Sequence, residues 1–293
     1  MNSLSVVIEL AVSGLVIGCV YALVAWGFTI VFNATGLVNF AAGELVMMGG
    51  VISATLHTRF ALQPIVTVPL TVIVVAAVSA ATDRYFLQKA RRQVHMTLVM
   101  ITIGLAIGLR GAMLFLTGKD FQFPPPFSEF EFPPILGINL STQGVWVICA
   151  VAVMTGVLWW LFAKTWLGYS MRASGENPRA AQLMGVSPRW VSNLSFALAG
   201  AMGALAGTLI APLASANYAS GLYFGVKGFS AAVLGGLGSP VGAVVGGLLL
   251  GLIESFAAGY VSSGWKDAIA LGLLILVLLL MPSGLFGRRA TRV

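Results

Sequence analysis

The chain has few charged residues and few of the side chains on which enzyme chemistry depends. Of its 293 residues, 9% are charged and 58% are hydrophobic, whereas a soluble domain averages about 25% charged and 45–50% apolar residues. Its two cysteines and two histidines are Cys19, His57, His95 and Cys149, with no partner spacing among them. They indicate neither a disulfide framework nor a metal site nor a catalytic pair. The sequence also lacks the GxxxxGKS or GxxxxGKT motif of a nucleotide-binding loop. We therefore expect no enzymatic activity and no cofactor bound by this chain.

The chain has long apolar runs instead. In a bilayer only a helix satisfies its own backbone hydrogen bonds within one segment, and about 17–25 apolar residues are needed to cross. Eight such runs cover residues 5–32, 43–57, 62–82, 96–117, 144–163, 190–212, 225–258 and 267–282, the second of them short and the seventh interrupted. The predicted fold class is an all-α polytopic membrane protein, a single transmembrane domain over 1–293. It has about eight transmembrane helices with one or two broken or re-entrant segments.

The basic residues predict the orientation. Eleven of the sixteen Lys and Arg fall in three groups, between runs three and four, between runs five and six, and after the last run: Arg84, Lys89, Arg91, Arg92; Lys164, Arg172, Arg179, Arg189; Arg288, Arg289 and Arg292. Because short cytoplasmic loops carry an excess of Lys and Arg, we expect a periplasmic amino terminus and a cytoplasmic carboxyl terminus. The net charge of +7 is then explained by topology and does not indicate a nucleic-acid partner.

Glycines four residues apart allow helix backbones to approach closely. They occur at Gly14/Gly18, Gly104/Gly108, Gly203/Gly207, Gly238/Gly242/Gly246 and Gly247/Gly251. For any single pair we favour bundle packing over a role in transport.

Two regions also break the apolar pattern, and broken helices in membrane proteins normally line a cavity. They make the candidate translocation pathway, with residues Asn33, Asn39, Glu44, Gly235, Gly236, Gly238 and Ser239. Glu44 fits two interpretations, a charge at the positive end of a helix dipole or a pathway residue.

Of the ionisable residues inside the predicted spans, we single out two. A charge at mid-bilayer costs at least about 2.5–3.5 kcal/mol, so each should face protein or water. The sequence offers Arg110 and Glu254, and we predict that they form an intramembrane ion pair.

Residues 168–189 form a polar island between two spans. Asn177 and Pro178 are typical of the start of a helix, and Gly185 of its end. On this short helix Ala180, Leu183 and Met184 share one apolar face. A helix so short needs a surface to dock on.

This polar island also carries a family resemblance. The stretch GENPRAAQLMGVS, residues 175–187, resembles the cytoplasmic coupling loop of the permeases of branched-chain amino acid type ABC importers. Residues 27–50, 235–255 and 281–288 are similar to other segments of that family, so the resemblance covers nearly the whole chain. Ala42 departs from it, because family members usually have His there. The resemblance assigns ATPase coupling to Gly175, Glu176, Asn177, Pro178, Arg179, Ala180, Ala181, Leu183, Met184 and Gly185.

The resemblance implies a permease subunit of the bacterial inner membrane, with ATP and Mg²⁺ held by partners. Those partners are two cytoplasmic ABC ATPases, a second homologous permease or a copy of this chain, and a periplasmic solute-binding protein. The solute is a branched-chain amino acid or a related compound such as urea, an amide or an aromatic acid.

The alternative is a secondary transporter or channel that works alone. It would need ion-coupling carboxylates near mid-membrane, for which only Glu254 and Glu44 are candidates.

The orientation gives a first prediction. Single cysteines at Ser128 and Asn217 should react with a membrane-impermeant thiol reagent added outside, in a background lacking Cys19 and Cys149. A cysteine at Gln93 should react only from the inside, and its labelling from outside would overturn the topology.

Overall fold

The computed structural model of the protein describes residues 3–90, 95–128, 130 and 141–287. This part of the chain folds into eleven helices, with no β-strand beyond one isolated bridge between Gln122 and Ala216. The helices are α1 (Ser3–Thr35), α2 (Ala42–Phe60), α3 (Pro64–Thr82), α4 (His95–Thr117), α5 (Thr142–Lys164), α6 (Trp166–Glu176), α7 (Pro178–Leu183), α8 (Pro188–Ala214), α9 (Ser220–Gly235), α10 (Pro240–Tyr260) and α11 (Lys266–Leu280). A π-helical turn, Asp83–Leu87, and Gln88–Ala90 prolong α3.

The predicted fold class is confirmed. Six of the helices in the described ranges are long and apolar enough to cross a membrane: α1, α3 with its extension, α4, α5, α8 and α10. The seventh predicted run is two helices, α9 and α10, and the chain reverses between them at residues 236–239. The other predicted break also exists, because residues 36–41 leave helical geometry between α1 and α2.

The relative sides of the loops agree with the charge pattern. The side-chain Nε2 of Gln88 donates a 3.0 Å hydrogen bond to the Arg189 carbonyl, so two loops predicted to be cytoplasmic meet. At the other end, Gln122 pairs with Ala216, which joins two segments predicted to be external. Arg91, Arg92, Gln93, Glu129, Glu131 and the three C-terminal arginines lie outside the described residues.

Helix α1 forms the centre of the bundle. In its most apolar window 83% of the residues are buried, against 17% in α4. Two glycines of α1 press directly on α10: a Cβ on Gly14 would lie 2.9 Å from the Cα of Leu252, and one on Gly18 would lie 2.8 Å from the Cα of Leu248. Gly247 and Gly251 face α1 in the same way. Since lipid tails are as apolar as the side chains, this close packing is what holds the helices together.

The pattern of spaced glycines does not always mark a contact. A side chain on Gly207 would overlap the carbonyl of Val46, so α8 and α2 also meet at glycine. Among the described residues, however, nothing lies within 4 Å of a Cβ on Gly104 or Gly108. That pair of α4 faces outward, and the close contact that its spacing predicts is absent.

These glycines provide matched substitutions. Gly251→Ala should destabilise the purified protein by about 1–3 kcal/mol, because the added methyl group meets the backbone of Gly18. Gly108→Ala should be neutral or stabilise by up to about 1 kcal/mol, because alanine favours the helix and the space is open. Thermal unfolding in detergent measures both, and equal midpoints would contradict the assigned contact.

Candidate functional site: the coupling segment and the helix break

The polar island folds as two short helices, α6 and α7. The side chain of Asn177 accepts a 3.0 Å hydrogen bond from the Ala180 amide, with Pro178 in the first helical position. Asn177 therefore caps α7, as predicted. Ser187 and Pro188 begin α8 in the same way.

The end of α7 is also as predicted. Gly185 has a φ of +84°, which favours glycine. The Gly185 amide donates to the Gln182 carbonyl at 3.1 Å and the Val186 amide donates to the Ala181 carbonyl at 3.0 Å. This pair of bonds is a Schellman motif, which satisfies the last carbonyls of the helix. Both ends of α7 are thus fixed by local hydrogen bonds.

The apolar face of α7 is turned to the outside. Leu183 is 89% exposed and Met184 is 81% exposed, and Ala180 beside them is exposed as well. Only Ala181 faces the bundle, where it is 4% exposed. Single exposed apolar side chains are common, but here they are held together on one rigid, capped turn. This makes the face a candidate surface for contact with another molecule.

Helices α6 and α7 together are called the coupling segment below, and this segment contacts the bundle at one tight point. A side chain at Gly175 would overlap the carbonyl oxygen of Asn33, so the last turn of α6 packs on the end of α1 at bare backbone. Asn33 in turn donates a 2.9 Å hydrogen bond from Nδ2 to the carbonyl of Gly238. The structure therefore joins Gly175, Asn33 and Gly238, which belong to the predicted coupling and pathway groups.

The reversal between α9 and α10, at residues 236–239, depends on two glycines. Gly236 and Gly238 have positive φ values of +101° and +88°. A side chain on Gly235 would overlap the backbone of Gly242, so the two helices touch where they separate. Ser239 caps α10 by accepting a 3.1 Å bond from the Gly242 amide.

The C-terminal tail completes this reversal. The Leu285 amide donates to the Leu234 carbonyl at 3.0 Å, and the Phe286 amide donates to the Gly235 carbonyl at 2.9 Å. The tail thereby satisfies the last carbonyls of α9. The sequence analysis did not predict these contacts of the tail. The glycine at position 284 was the available signal, and in the structure it has a φ of +74° and approaches the backbone of Gly236.

A cavity of about 600 Å³ adjoins these contacts. Its volume falls within the range of about 300–1,000 Å³ that is usual for small-ligand sites. Its lining includes Asn33, Arg172, Glu176, Ser239 and Phe286. Four of the predicted pathway residues do not line it: Asn39, Glu44, Gly235 and Gly236. Asn39 is buried, and its Oδ1 accepts a 3.1 Å hydrogen bond from the Ala41 backbone amide just before α2. Glu44 lies in the first turn of α2 and is 2% exposed.

The predicted pair between Arg110 and Glu254 is wrong. Arg110 forms its ion pair with Glu44, and Glu254 forms one with Lys227. Glu44 occupies the helix start that the dipole interpretation requires, but its carboxylate is neutralised by Arg110. The sequence analysis did not identify Lys227 as a partner, and the structure buries it between α10 and α11, 2.8 Å from Asp267.

Double substitutions distinguish the two pairings. Lys227→Gln and Glu254→Gln should be coupled by about 1–3 kcal/mol, because each residue left alone is a buried charge that has lost a partner. Arg110→Gln and Glu254→Gln should be additive within about 0.5 kcal/mol. Denaturant titration in detergent of the single and double variants measures both coupling free energies. Coupling between Arg110 and Glu254, with none between Lys227 and Glu254, would restore the pairing expected from the sequence.

These features define a class of protein: a polytopic helical membrane protein with glycine-built breaks and an exposed docking helix, which is the architecture of a transport permease. The chain belongs to the family described as the permease component of the branched-chain amino acid transport system, whose model matches residues 10–278. It is a multi-pass protein of the bacterial inner membrane. No solved structure matches the chain.

Curated relatives agree with the family. The chain is 33% identical to the high-affinity branched-chain amino acid transport system permease protein BraD of Pseudomonas aeruginosa, over 94% of each chain. It is 31% identical to the corresponding protein LivH of Escherichia coli K12, again over 94% of each. The autoinducer 2 import system permease protein LsrC of Escherichia coli is 33% identical over 64% of this chain and 56% of its own length. These relatives are transport permeases, so they support a subunit of an import system and not a transporter that works alone.

Proposed function

We propose that this chain carries an aliphatic amino acid across the inner membrane, driven by two separate ABC ATPases that dock on α7. The observation that carries the proposal is the exposed face of Ala180, Leu183 and Met184, because α7 is joined through α6 to the helix break. The names of BraD and LivH support a branched-chain amino acid, whereas the name of LsrC shows that similar permeases serve other solutes.

The contacts provide a route for coupling. Movement of α7 displaces α6, and Gly175 bears on the Asn33 carbonyl with no side chain between them. Asn33 is bonded to Gly238, so the displacement reaches the reversal between α9 and α10. Packed interfaces of this kind shift between discrete arrangements and do not deform gradually. ATP and Mg²⁺ belong to the partner subunits, and this chain supplies the moving membrane part.

The remaining partners follow from the same proposal. A second homologous permease, or a copy of this chain, completes the pathway, and a periplasmic binding protein delivers the solute. The weakly buried faces of α4 and α5, with 17% and 22% of their apolar windows buried, are available to lipid or to that second subunit. The basic loops support a periplasmic amino terminus and a cytoplasmic carboxyl terminus. Ala42 is 5% exposed and gives this position no polar group, so any role of the usual His is absent here.

Charge placed on the exposed face of α7 tests the proposal. Leu183→Asp should abolish solute uptake and weaken ATPase co-purification at least tenfold, because an unpaired carboxylate in a docked apolar contact costs a few kcal/mol. Ala180→Asp should act similarly. Membrane abundance should stay normal, since both side chains are exposed.

Gln182→Asp is the matched control, because it adds the same charge to the same helix away from that face. It should leave uptake and ATPase binding within about twofold of wild type. Normal uptake by Leu183→Asp would remove α7 from the coupling route.

A further inference from the structure

A second cavity lies at the opposite end of the bundle from the coupling segment. Its volume is about 540 Å³, and it is enclosed by the first half of α1, the starts of α5, α9 and α11, and the end of α8. By the proposed topology all of these ends face the periplasm. Most of its wall is apolar, formed by side chains such as Val12, Val16, Ile17, Ile210 and Phe224.

Two opposite charges line this apolar wall. They are Glu9 on α1 and Lys266 at the start of α11. Within the described part of the chain neither side chain makes a hydrogen bond or an ion pair. The side chains of Glu44, Glu254 and Lys227, in contrast, are all paired. A charge that lines a cavity without a partner is available to a ligand.

Two tyrosines add a polar group that is fixed in place. The Tyr21 hydroxyl donates to Oε2 of Glu254 at 2.7 Å, and the Tyr223 hydroxyl lies 3.4 Å from it. Because the only proton of Tyr21 is used by Glu254, the proton of Tyr223 can point to Tyr21 or into the cavity. Lys227, which also pairs with Asp267, pairs with Glu254 and so holds the carboxylate that binds Tyr21.

We propose that this cavity binds the solute directly, as the zwitterion of an aliphatic α-amino acid, an inference that rests on the proposed function. The Lys266 ammonium and the Tyr223 hydroxyl take the carboxylate, Glu9 takes the α-ammonium, and the apolar wall takes the side chain. A neutral sugar or amide would leave both charges unmatched, and a fatty acid would leave Glu9 unmatched. Only a ligand with both charges and an apolar body satisfies the whole lining.

Analogues that lack one charge test each assignment. The full-length chain in lipid nanodiscs is titrated with leucine, with 4-methylpentanoate, which lacks the ammonium, and with leucinamide, which lacks the carboxylate. Glu9→Gln should weaken leucine binding roughly 10-fold and leave 4-methylpentanoate unchanged. Lys266→Gln should weaken leucine binding roughly 10-fold and leave leucinamide unchanged. Tyr223→Phe, which retains the ring, should weaken leucine binding by a few-fold.

Asp120→Asn and Lys119→Gln are the matched controls, because they make the same charge changes at exposed positions on the same side. Both should leave leucine binding unchanged. Absence of saturable leucine binding by the wild-type chain would overturn the inference. So would equal weakening of leucine and the matching analogue, or equal effects in the controls.

ATP-driven uptake by the chain with its ATPases is measured separately. Uptake with an unaltered KM in Glu9→Gln and Lys266→Gln would overturn the cavity assignment and leave the proposed function intact. Leucine binding with the predicted analogue pattern, but without ATP-driven uptake, would overturn the proposed function and leave the cavity assignment intact.

Discussion

The contact between the backbones of α1 and α10 is the constraint on which the rest of the structure depends. Gly14 and Gly18 face Gly247 and Gly251, and at each of these positions a Cβ would strike the other helix. Because the two helices touch at backbone distance, α1 can be covered by its neighbours along most of its length. Its last turn is thereby held against α10, which places Asn33 beside the helix break. The coupling segment has a fixed point to act on only because α1 does not move independently of α10.

The distribution of charge follows from the same packing. A tightly packed bundle can keep a charge only where a partner lies within reach. The buried Asp83 accepts hydrogen bonds from Ser192 and Gln88, and two ion pairs join Glu44 with Arg110 and Glu254 with Lys227. Such pairs contribute little net stability, but removing one member leaves a buried charge that is costly. They act as ties between helices, joining α2 to α4 and α9 to α10. Against this background the unpaired Glu9 and Lys266 stand out, because they lie where a cavity replaces the packed interior.

Local features were predicted well from the sequence, and pairings between helices were not. The Asn177 cap, the Gly185 stop and the break at 236–239 depend on neighbours within a few residues, so their residue types specify them. The partner of Arg110 depends on which helices lie side by side, and the order of the chain does not contain that information. Gly14/Gly18 and Gly104/Gly108 have the same spacing, yet only the first pair meets another helix. Spacing identifies a face that allows close contact, and only the assembled bundle decides whether a neighbour fills it.

The two cavities are linked by the helices that line both. Helix α1 contributes Ile17 and Tyr21 to the outer cavity and Asn33 to the inner one, and the α9–α10 unit contributes Tyr223 to the first and Ser239 to the second. The glycine contacts leave no space between α9 and α10, and the tail is bonded to the end of α9, so these parts move together. Under the proposed function, a displacement of this unit together with α1 against α5, which contributes Val145 to the outer cavity and Trp159 to the inner one, must therefore change both cavities at once. That reciprocal change is the requirement for alternating access, in which one side closes as the other opens.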